Sequence, residues 1–573
     1  MTIIRFWLTT VLAASLSFSA FANQTEYTLV IDREAVNITG KTVDRITING
    51  TIPGPILEFT EGDEAVVHVI NKLDEPTSVH WHGLLLPPKM DGVPGMGGFS
   101  GIAPGETFTY RFPLRQNGTY WYHAHSGTQE QDGHYAGMII HPKDHSPVEA
   151  DRDYVVLISD FHEHSGRRIM QNLKKSPHYY NFSQRTVGDF FADVRQQGWS
   201  KVWRDARDWG QMRMSPTDLA DVSGYTFLIN GKTAEQNWTG VFKPGERIRL
   251  RFINASAMSI YDLRIKGLPM TVVQADGQYV EPVTVDELRF AVAETYDVIV
   301  QPQSHDAFTI VAESIDRTGF ALGTLAPEIG MRGPQPTHRP RALLTMADMG
   351  HGHGHDHDHS NPSHSAPSEH SGHEGHEGHE GHEGDSQHQS IGILESSNSG
   401  WAQAGTPEGH TALRYADLRS LTRQPDNRPP SREIVVTLDG SMERFIWTLD
   451  GKKFGDPDFK PIQLDYNERV RIIFQNNTMM AHPMHLHGMF MQLENGQHPD
   501  YLPSKHVVNV PPGQQMSVLL TADEPGEWMF HCHLLYHMAA GMMGVMAVAE
   551  ADPTGEHTGH HQHHHGGHHH DHH

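Results

Sequence analysis

The chain has 573 residues, with 44 lysines and arginines against 69 aspartates and glutamates, and a formal net charge of −25. A surface this acidic repels phosphate backbones, which argues against nucleic acid as a partner. A single cysteine, Cys532, excludes an intramolecular disulfide framework and any thiolate-rich zinc or iron–sulfur site. The chain has instead 45 histidines and 24 methionines, and imidazole and thioether ligands suit copper.

Residues 1–22 have the pattern of an export signal. A positive charge at Arg5 is followed by a short apolar run and by a small-x-small cleavage site at Ala20-Phe21-Ala22. No arginine pair precedes the run, so a twin-arginine route is not supported. No later stretch reaches ~18 apolar residues, so we expect no membrane span. Export without disulfides indicates a bacterial periplasmic protein, released by cleavage of an N-terminal signal peptide.

A repeat occurs three times and organises the chain. Each copy has a turn, a β-branched strand and a second short segment. The turns are Ile48-Asn49-Gly50, Ile229-Asn230-Gly231 and Leu449-Asp450-Gly451; the strands are Glu64–Asn71, Glu246–Asn254 and Glu468–Asn476; the second segments are His80-Trp81-His82-Gly83, Arg264-Ile265-Lys266-Gly267 and His485-Leu486-His487-Gly488. This pattern predicts three related β-sandwich domains, at 24–145, 150–305 and 430–550.

The middle copy differs from the other two. It carries Arg264 and Lys266 where the others carry histidine, and cationic side chains do not ligate a cation. We therefore expect the second domain to hold no metal. Between 165 and 220 a weak 3.6-residue periodicity predicts a few short helices inserted in this domain.

Two segments have low complexity. Residues 351–390, inside a predicted flexible linker at 340–430, hold 12 histidines, and a predicted disordered tail at 557–573 holds 11. The linker includes a repeated His-Glu-Gly unit at His373, His376, His379 and His382, for which we predict loose auxiliary metal binding. A solvated linker without function is the alternative.

Ten of the remaining histidines fall in four short motifs. The motifs are His80-Trp81-His82, His123-Ala124-His125, His482-Pro483-Met484-His485-Leu486-His487 and His531-Cys532-His533-Leu534-Leu535-Tyr536-His537. Residues i and i+2 of a strand face the same side, so each His-x-His pair presents two imidazoles in one direction. Four such pairs, two from each end of the chain, predict a metal site.

The fourth motif places Cys532 between two histidines. On a regular strand the thiolate points away from both neighbours, so it binds one centre while His531 and His533 reach a second. With His482 and His537, Cys532 forms the His₂Cys set of a blue-copper site, which needs only a weak axial thioether. Met542 is the candidate for that ligand, and Met538 and Met543 are alternatives.

With these four motifs in this order, the sequence resembles the multicopper oxidases, and within them the bacterial copper-resistance (CopA-like) type. The narrower resemblance rests on further phrases. These are Trp81-His82-Gly83-Leu84, Met90-Asp91-Gly92-Val93-Pro94-Gly95, Gln116-Asn117-Gly118-Thr119-Tyr120-Trp121-Tyr122-His123, Asp218-Leu219-Ala220-Asp221-Val222-Ser223-Gly224-Tyr225 and His531-Cys532-His533-Leu534-Leu535-Tyr536-His537-Met538. The resemblance covers nearly the whole mature chain except the His-rich tracts.

The resemblance implies an all-β fold of three consecutive cupredoxin-like Greek-key β-sandwich domains, with four copper ions as cofactors. A mononuclear blue (type 1) copper would take His482, Cys532, His537 and Met542, and Cys532 would carry the electron transfer. The type 2 copper would take His80 and His485. The type 3 pair would take His82, His123, His125, His487, His531 and His533.

The reaction implied is four one-electron oxidations coupled to reduction of dioxygen to water, in periplasmic copper tolerance. Asp91 matches the acid that relays protons in related enzymes, whereas Met538 stands where some members carry a glutamate. Methionines near the type 1 motifs favour Cu(I) as the electron donor. Periplasmic copper carriers are then candidate partners that would deliver this ion. Phenols, as in a laccase, and Mn(II) are the alternatives.

Two other classes compete with this interpretation. A non-catalytic periplasmic copper-sequestration protein would use the tract histidines, but storage does not require complete type 2 and type 3 ligand sets. A copper nitrite reductase fits poorly. That enzyme needs no binuclear centre, whereas this chain has six histidines for one.

Overall fold

The structure, a computed structural model, describes residues 23–182, 184–212, 215–345, 348, 401 and 404–550. The predicted signal peptide and tail lie outside the described residues, as do the tract at 351–390 and its His373, His376, His379 and His382. No helix in the described part of the chain has both the length and the apolar composition that crossing a membrane requires.

The first domain is a sandwich of two four-stranded sheets, with strand orders β2-β1-β4-β6 and β3-β8-β7-β5. Its strands are β1 (Gln24–Asn37), β2 (Thr42–Ile48), β3 (Leu57–Thr60), β4 (Glu64–Asn71), β5 (His80–His82), β6 (Thr107–Pro113), β7 (Gly118–His123) and β8 (Tyr135–His141). A 3₁₀ turn, Pro88–Met90, follows β5. Buried aromatic residues, including Trp81 and Tyr110, fill the core between the sheets.

The second domain has two six-stranded sheets, ordered β10-β9-β12-β17-β14-β15 and β11-β19-β18-β13-β16-β20. Its strands are β9 (Arg152–Phe161), β10 (Thr226–Ile229), β11 (Trp238–Val241), β12 (Ile248–Asn254), β13 (Tyr261–Ile265), β14 (Met270–Ala275), β15 (Gln278–Val285), β16 (Glu287–Phe290), β17 (Thr295–Val300), β18 (Phe308–Ser314), β19 (Phe320–Ala326) and β20 (Ala412–Leu413).

Two features of this domain bear on the predicted boundaries. β18 and β19 pair into its sheet, although they follow the predicted end at residue 305. β20 also joins this sheet, and it comes from the segment 404–430, which we had predicted to be part of a flexible linker. That segment is anchored by the buried Tyr415, in a 3₁₀ turn at Tyr415–Asp417.

The predicted helical insertion is confirmed. It consists of α1 (Gly166–Lys175), α2 (Val187–Gln197) and α3 (Trp199–Met212). The hydroxyl of Ser165 caps α1 by accepting a hydrogen bond from the Arg168 amide, and Ile169 and Leu173 bury one face of the helix. The side chains of Thr186 and Asp189 form a capping box that starts α2.

The third domain has a six-stranded sheet, β22-β21-β24-β29-β26-β27, and a five-stranded sheet, β23-β31-β30-β25-β28. Its strands are β21 (Arg432–Ser441), β22 (Ile446–Leu449), β23 (Ile462–Leu464), β24 (Arg469–Asn476), β25 (His482–Leu486), β26 (Met491–Leu493), β27 (Ser504–Lys505), β28 (Val507–Val510), β29 (Gln515–Thr521), β30 (Gly526–Cys532) and β31 (Met543–Val548); its helices are α4 (Leu535–Ala539) and the 3₁₀ turns Met442–Arg444 and Pro499–Tyr501.

The three sequence repeats are three copies of the same local structure. In each turn, the residue before glycine and the glycine itself have positive φ, as in Asn230 (49°) and Gly231 (74°). Such a pair suits a tight hairpin turn, which requires asparagine, aspartate or glycine. The strands β4, β12 and β24 follow these turns at equivalent positions. The prediction of an all-β chain with three β-sandwich domains is confirmed.

Candidate metal centres

The first candidate centre lies inside the third domain, and we call it the thiol cluster: His482, Cys532 and His537. β25 and β30 are antiparallel neighbours, and α4 follows β30 directly, so these elements bring the three residues together. The Cys532 Sγ lies 3.5 Å from His482 Nδ1 and 3.8 Å from His537 Nδ1, and the two Nδ1 atoms are 3.2 Å apart. All three side chains are fully buried.

The outer nitrogens of both imidazoles are engaged elsewhere. The Nε2 of His482 lies 2.7 Å from the Thr478 hydroxyl, and the Nε2 of His537 lies 2.6 Å from the Asp221 carboxylate. The ring of Trp447 stacks on His537 with centroids 3.8 Å apart. These contacts fix both rings with Nδ1 directed toward the sulfur.

The protonation of the thiol cluster suits a metal. Burial lowers the pKa of His482 and His537 well below the usual value, so both imidazoles are neutral and keep a lone pair. Burial raises the pKa of the Cys532 thiol. A metal ion would displace that proton, because a coordinating thiol is deprotonated.

The predicted axial ligand, Met542, is fully buried next to this cluster. Its main-chain oxygen accepts a hydrogen bond from the Cys532 amide at 3.1 Å. Met538 lies in α4, and Met543 pairs with His531 across β30 and β31 and is half-buried. The burial of Met542 favours it over Met543, and its role as axial ligand stays a prediction.

The second candidate centre lies between the first and third domains, and we call it the imidazole cluster. Its eight members are the histidines of the four His-x-His pairs: His80, His82, His123, His125, His485, His487, His531 and His533. β5 and β7 set His80 opposite His123 in the first domain, and β25 and β30 set His485 opposite His531 in the third. Contacts between ring nitrogens cross the domain boundary, since His80 Nε2 is 3.4 Å from His485 Nε2.

The family resemblance assigns the eight rings of the imidazole cluster to three groups, although other sets, such as His80, His485 and His487, also lie close enough together to hold one ion. The first is the pair His80 and His485. The second comprises His125, His487 and His531, whose Nε2 atoms lie 3.1 and 3.4 Å from one another around His531. The third comprises His82, His123 and His533, whose ring centroids lie 4.9 to 5.6 Å apart. The resemblance takes these groups as one two-imidazole and two three-imidazole sites, and that assignment stays a prediction.

Outer contacts orient several of these rings. The main-chain oxygen of Asp91 accepts from His80 Nδ1 and its carboxylate accepts from His487 Nδ1, both at 2.8 Å. The carbonyl of His506 accepts from His485 Nδ1 at 2.8 Å. Each contact places the proton on Nδ1 and leaves the Nε2 lone pair facing the cluster.

Other ring nitrogens have no partner among the described residues. Both nitrogens of His82 and of His533, and the Nε2 of His123, are buried without a hydrogen bond. Buried polar atoms are normally satisfied, so this group needs a ligand. Burial and the neighbouring rings lower the pKa of His82 well below the usual value, which leaves a neutral nitrogen donor. Two nitrogens 3.4 Å apart can also share one ion at ~2.0–2.1 Å from each. The residues therefore fit copper ions.

Cys532 connects the two centres. Its sulfur lies in the thiol cluster, while the rings of His531 and His533, its neighbours in the chain, lie in the imidazole cluster. The predicted alternation along β30 therefore places the thiol and the two imidazoles on opposite sides. The backbone that links Cys532 to its two neighbours in the chain therefore joins the two centres covalently.

Three further residues at these centres were not predicted from the sequence. Asp221 contacts His537 from the second domain, and burial raises its pKa to about 7. A Glu130 carboxylate oxygen lies 2.9 Å from His123 Nδ1. The ring of His506 packs 4.8 Å from that of His82. None of the three belongs to a His-x-His or Cys motif. Only Asp221 lies in a segment that was quoted for the family resemblance.

Comparison with known proteins agrees with this arrangement. Three family models described as multicopper oxidase match residues 30–145, 152–326 and 427–552. The chain is 48% identical to "Copper resistance protein A homolog" of Pseudomonas syringae pv. tomato over 555 residues, covering 92% of each chain. It is 47% identical to "Copper resistance protein A" of Escherichia coli over 576 residues, covering 94% of each.

Solved structures show the same fold at low sequence identity. The laccase from Botrytis aclada superposes with a TM-score of 0.63 at 20% identity, covering 92% of this chain and 88% of that one. The multicopper oxidase from Campylobacter jejuni gives 0.59 at 19% identity, covering 93% of both.

Proposed function

The chain belongs to the multicopper oxidase family, and we propose that it oxidises a donor, Cu(I) in the first place, and reduces dioxygen to water in periplasmic copper tolerance. The family implies four copper ions, which would supply one-electron redox steps and the reduction of dioxygen. The location in the periplasm, the cleaved signal peptide and delivery by periplasmic copper carriers are parts of the same proposal.

The observation that carries this proposal is the position of Cys532 between the two centres. Its sulfur is 3.5 Å from His482 Nδ1, and the next residues in both directions along the chain belong to the imidazole cluster. A storage site needs no such connection. A protein that receives electrons at one centre and uses them at another needs a short, rigid path, and one strand residue provides it.

The ligand roles are those that the family resemblance implies. We propose that His482, Cys532, His537 and Met542 hold the type 1 copper, and that His80 and His485 hold the type 2 copper. The six others, His82, His123, His125, His487, His531 and His533, would hold the type 3 pair as two groups of three.

Electrons are proposed to enter through Asp221. Its carboxylate lies 2.6 Å from His537 Nε2, on the side of that ring away from the sulfur. Asp218 and Asp221 are both buried, and the imidazole of His178, about half exposed, lies 3.8 Å from the Asp218 carboxylate. The three side chains lead from the surface to the thiol cluster, and two carboxylates there attract a cation.

This acidic entry favours a metal ion over a neutral phenol as donor. Cu(I) is the first choice because the two curated relatives reported above are named as copper resistance proteins. Mn(II) is the second candidate, since carboxylate oxygens suit this ion.

We also propose Asp91 as the residue that relays protons to the imidazole cluster. Its carboxylate Oδ2 accepts from His487 Nδ1, and its Oδ1 lies 3.3 Å from His80 Nδ1. Asp91 therefore contacts histidines of two groups at once, from the first domain. It is 3% exposed, so protons that reach it must pass through the protein interior.

The test compares donors on fully copper-loaded protein. Oxygen uptake is measured with Cu(I), Mn(II) and a phenol, for the native chain, Asp221→Asn and the control Asp316→Asn, in the turn between β18 and β19 of the same domain. We expect Asp221→Asn to lower kcat/KM for Cu(I) by roughly 10–100-fold, because it removes a charge that attracts the cation to the entry of the thiol cluster. The phenol rate and the Asp316→Asn rates should change little.

Copper sequestration without catalysis is the alternative that this experiment also addresses. If fully loaded protein consumes no oxygen with any donor, the oxidase proposal is wrong. Oxygen uptake that persists after deletion of residues 351–390 would show that the tract histidines are not the basis of the activity.

A further inference from the structure

The helical insertion of the second domain concentrates exposed apolar side chains. Among the described residues, six of the eleven large apolar side chains that are exposed lie between residues 179 and 203. Single exposed apolar residues are ordinary, whereas a cluster of them marks a surface that contacts another molecule or a membrane. Four of the six belong to α2 and α3, which contact each other and are joined by the single residue Gly198. We call these two helices the helical pair.

Each helix of the pair carries the same kind of stripe on its outer face. Residues spaced by four lie on one face of a helix, and each stripe has two apolar positions followed by an arginine. The apolar side chains of both stripes are 52 to 75% exposed. The stripe of α2 is Val187, Phe191 and Arg195, and that of α3 is Trp199, Trp203 and Arg207.

Aromatic rings join the two stripes into one patch. The ring centroid of Phe190 lies 5.6 Å from that of Phe191 and 5.8 Å from that of Trp199. The rings of Trp199 and Trp203 stack with centroids 5.9 Å apart. The exposed apolar surface therefore runs without a break from α2 to α3, and we call it the aromatic patch.

The inner face of α3 already supplies the packing that holds the helical pair on its domain. Val202 and Trp209 are buried, and Trp209 belongs to the hydrophobic core. The aromatic patch lies on the other side of the helix. Its rings are thus available to a binding partner without any change in the fold.

Cations accompany the aromatic patch in a chain that is otherwise acidic. From α1 to α3 the insertion contains nine lysines and arginines and four aspartates, a formal net charge of +5, whereas the whole chain has −25. In the helical pair, Arg207 forms an ion pair with Asp208. Arg195, Lys201 and Arg204 are exposed, and within the described part of the chain none of them forms an ion pair. Their charges suit an anionic partner.

We propose that the helical pair docks on an anionic lipid surface, with the aromatic patch among the headgroups and the cations on the lipid phosphates. Helices that lie in a membrane interface combine Trp and Phe with Lys and Arg in this way. With 11 and 14 residues, α2 and α3 are shorter than the ~20 residues that span a bilayer, so they would lie in its plane. Long cationic side chains can reach the phosphates while their stems follow the apolar surface.

The acidic remainder of the chain opposes this contact only weakly. At physiological ionic strength, charges are screened over ~8 Å, so an anionic bilayer acts mainly on the groups next to it. A fluid bilayer presents anionic headgroups above an apolar layer, and it therefore matches both features of the helical pair. An acidic protein would match the cations, but it would also need an apolar face of complementary shape.

The test measures co-sedimentation of the chain with lipid vesicles. Full-length, copper-loaded protein, dialysed against a chelator to remove loosely held copper, is mixed with vesicles of phosphatidylcholine, alone or with roughly 30% phosphatidylglycerol. The apolar variant is Trp199→Gln/Trp203→Gln, and the charge variant is Lys201→Gln/Arg204→Gln.

Two control variants carry the same kinds of change elsewhere. Ile329→Gln removes an apolar side chain that is 75% exposed, and Lys266→Gln/Lys460→Gln removes two exposed cations. All the proteins share the same N-terminus and His-rich tracts, so differences between them report the helical pair. Urea unfolding checks that each variant is as stable as the native chain.

We expect the native chain to bind the vesicles that contain phosphatidylglycerol, and the apolar variant to bind them about tenfold more weakly or less. The charge variant should bind these vesicles more weakly by roughly fivefold for each cation removed. On phosphatidylcholine alone it should behave as the native chain does. Both control variants should bind as the native chain binds.

Equal sedimentation of the native chain and the apolar variant, or no binding of the native chain to either kind of vesicle, would overturn the inference. So would a native dimer, seen by analytical ultracentrifugation without lipid, that the apolar variant dissociates, because the patch would then bind a second copy of the chain. Oxygen uptake plays no part in these measurements, so failure of this inference and failure of the proposed function are distinguishable.

Discussion

The second and third domains share one scaffold and differ in what it holds. Asn254 ends β12 and Asn476 ends β24, and each side-chain amide donates to main-chain oxygens of residues further along the chain. The turns before these strands are also equivalent, with positive φ at Asn230 and Asp450. Turn and strand residues therefore specify the fold in both domains.

The difference lies in the next strand. β25 of the third domain carries His485 and is followed directly by His487, and both belong to the imidazole cluster, whereas β13 of the second domain carries Arg264. The Arg264 guanidinium forms an ion pair with the buried Glu313 at 2.8 Å. A guanidinium paired with a carboxylate offers no lone pair to a metal, so the same strand position serves stability in one domain and metal binding in the other.

The largest expected effect comes from removing the sulfur of the third domain. Cys532→Ser should abolish the blue absorption and lower oxygen uptake by more than about 100-fold, beyond the loss of an outer partner. The chain has no second cysteine to replace the thiolate. Met543→Leu, a half-buried neighbour, is the control, and blue colour in Cys532→Ser would contradict the assignment of the thiol cluster.

Arg264→Met tests whether the equivalent strand position in the second domain serves stability. It should lower the free energy of unfolding by about 3 kcal/mol, because it removes the closest cation from the buried Glu313 carboxylate. The spectrum of the copper sites should stay native while the protein is folded. Urea unfolding followed by fluorescence measures the loss. A changed blue absorption would mean that the second domain contributes more to the copper sites than its side chains indicate.

Asp91→Asn sharpens the comparison by testing which domains depend on each other. The third domain relies on Asp91 of the first for a contact with His487 Nδ1. We expect oxygen uptake to fall by roughly 10–100-fold, with the blue colour retained. Spectra and uptake are measured on the same preparation, and unchanged turnover would rule out the proton-relay role.

The smallest effect is expected from the shared asparagines. Asn254→Ala and Asn476→Ala should each cost about 1–3 kcal/mol of unfolding free energy, because buried carbonyls lose their donor. Only Asn476→Ala should shift the blue absorption. Its side-chain oxygen accepts from the Thr478 hydroxyl, which also contacts His482 Nε2. An equal spectral shift in Asn254→Ala would contradict this distinction.

The sequence alone was sufficient to predict the fold class and to identify the candidate residues of both centres. Strand periodicity puts residues i and i+2 on one face, so the four His-x-His pairs and the opposed Cys532 follow from local geometry. The turn tripeptides fix the repeat in the same local way. The roles within the centres came from the family resemblance and stay predictions.

Tertiary structure decided which groups from distant parts of the chain meet at these centres. Asp221 and His537 are 316 residues apart, and Asp91 and His487 are 396 apart. Their contacts depend on how whole domains pack, and no periodicity in the sequence encodes that packing. For the same reason His506, which has no partner histidine beside it in the chain, is recognised beside the cluster only when the first and third domains pack together.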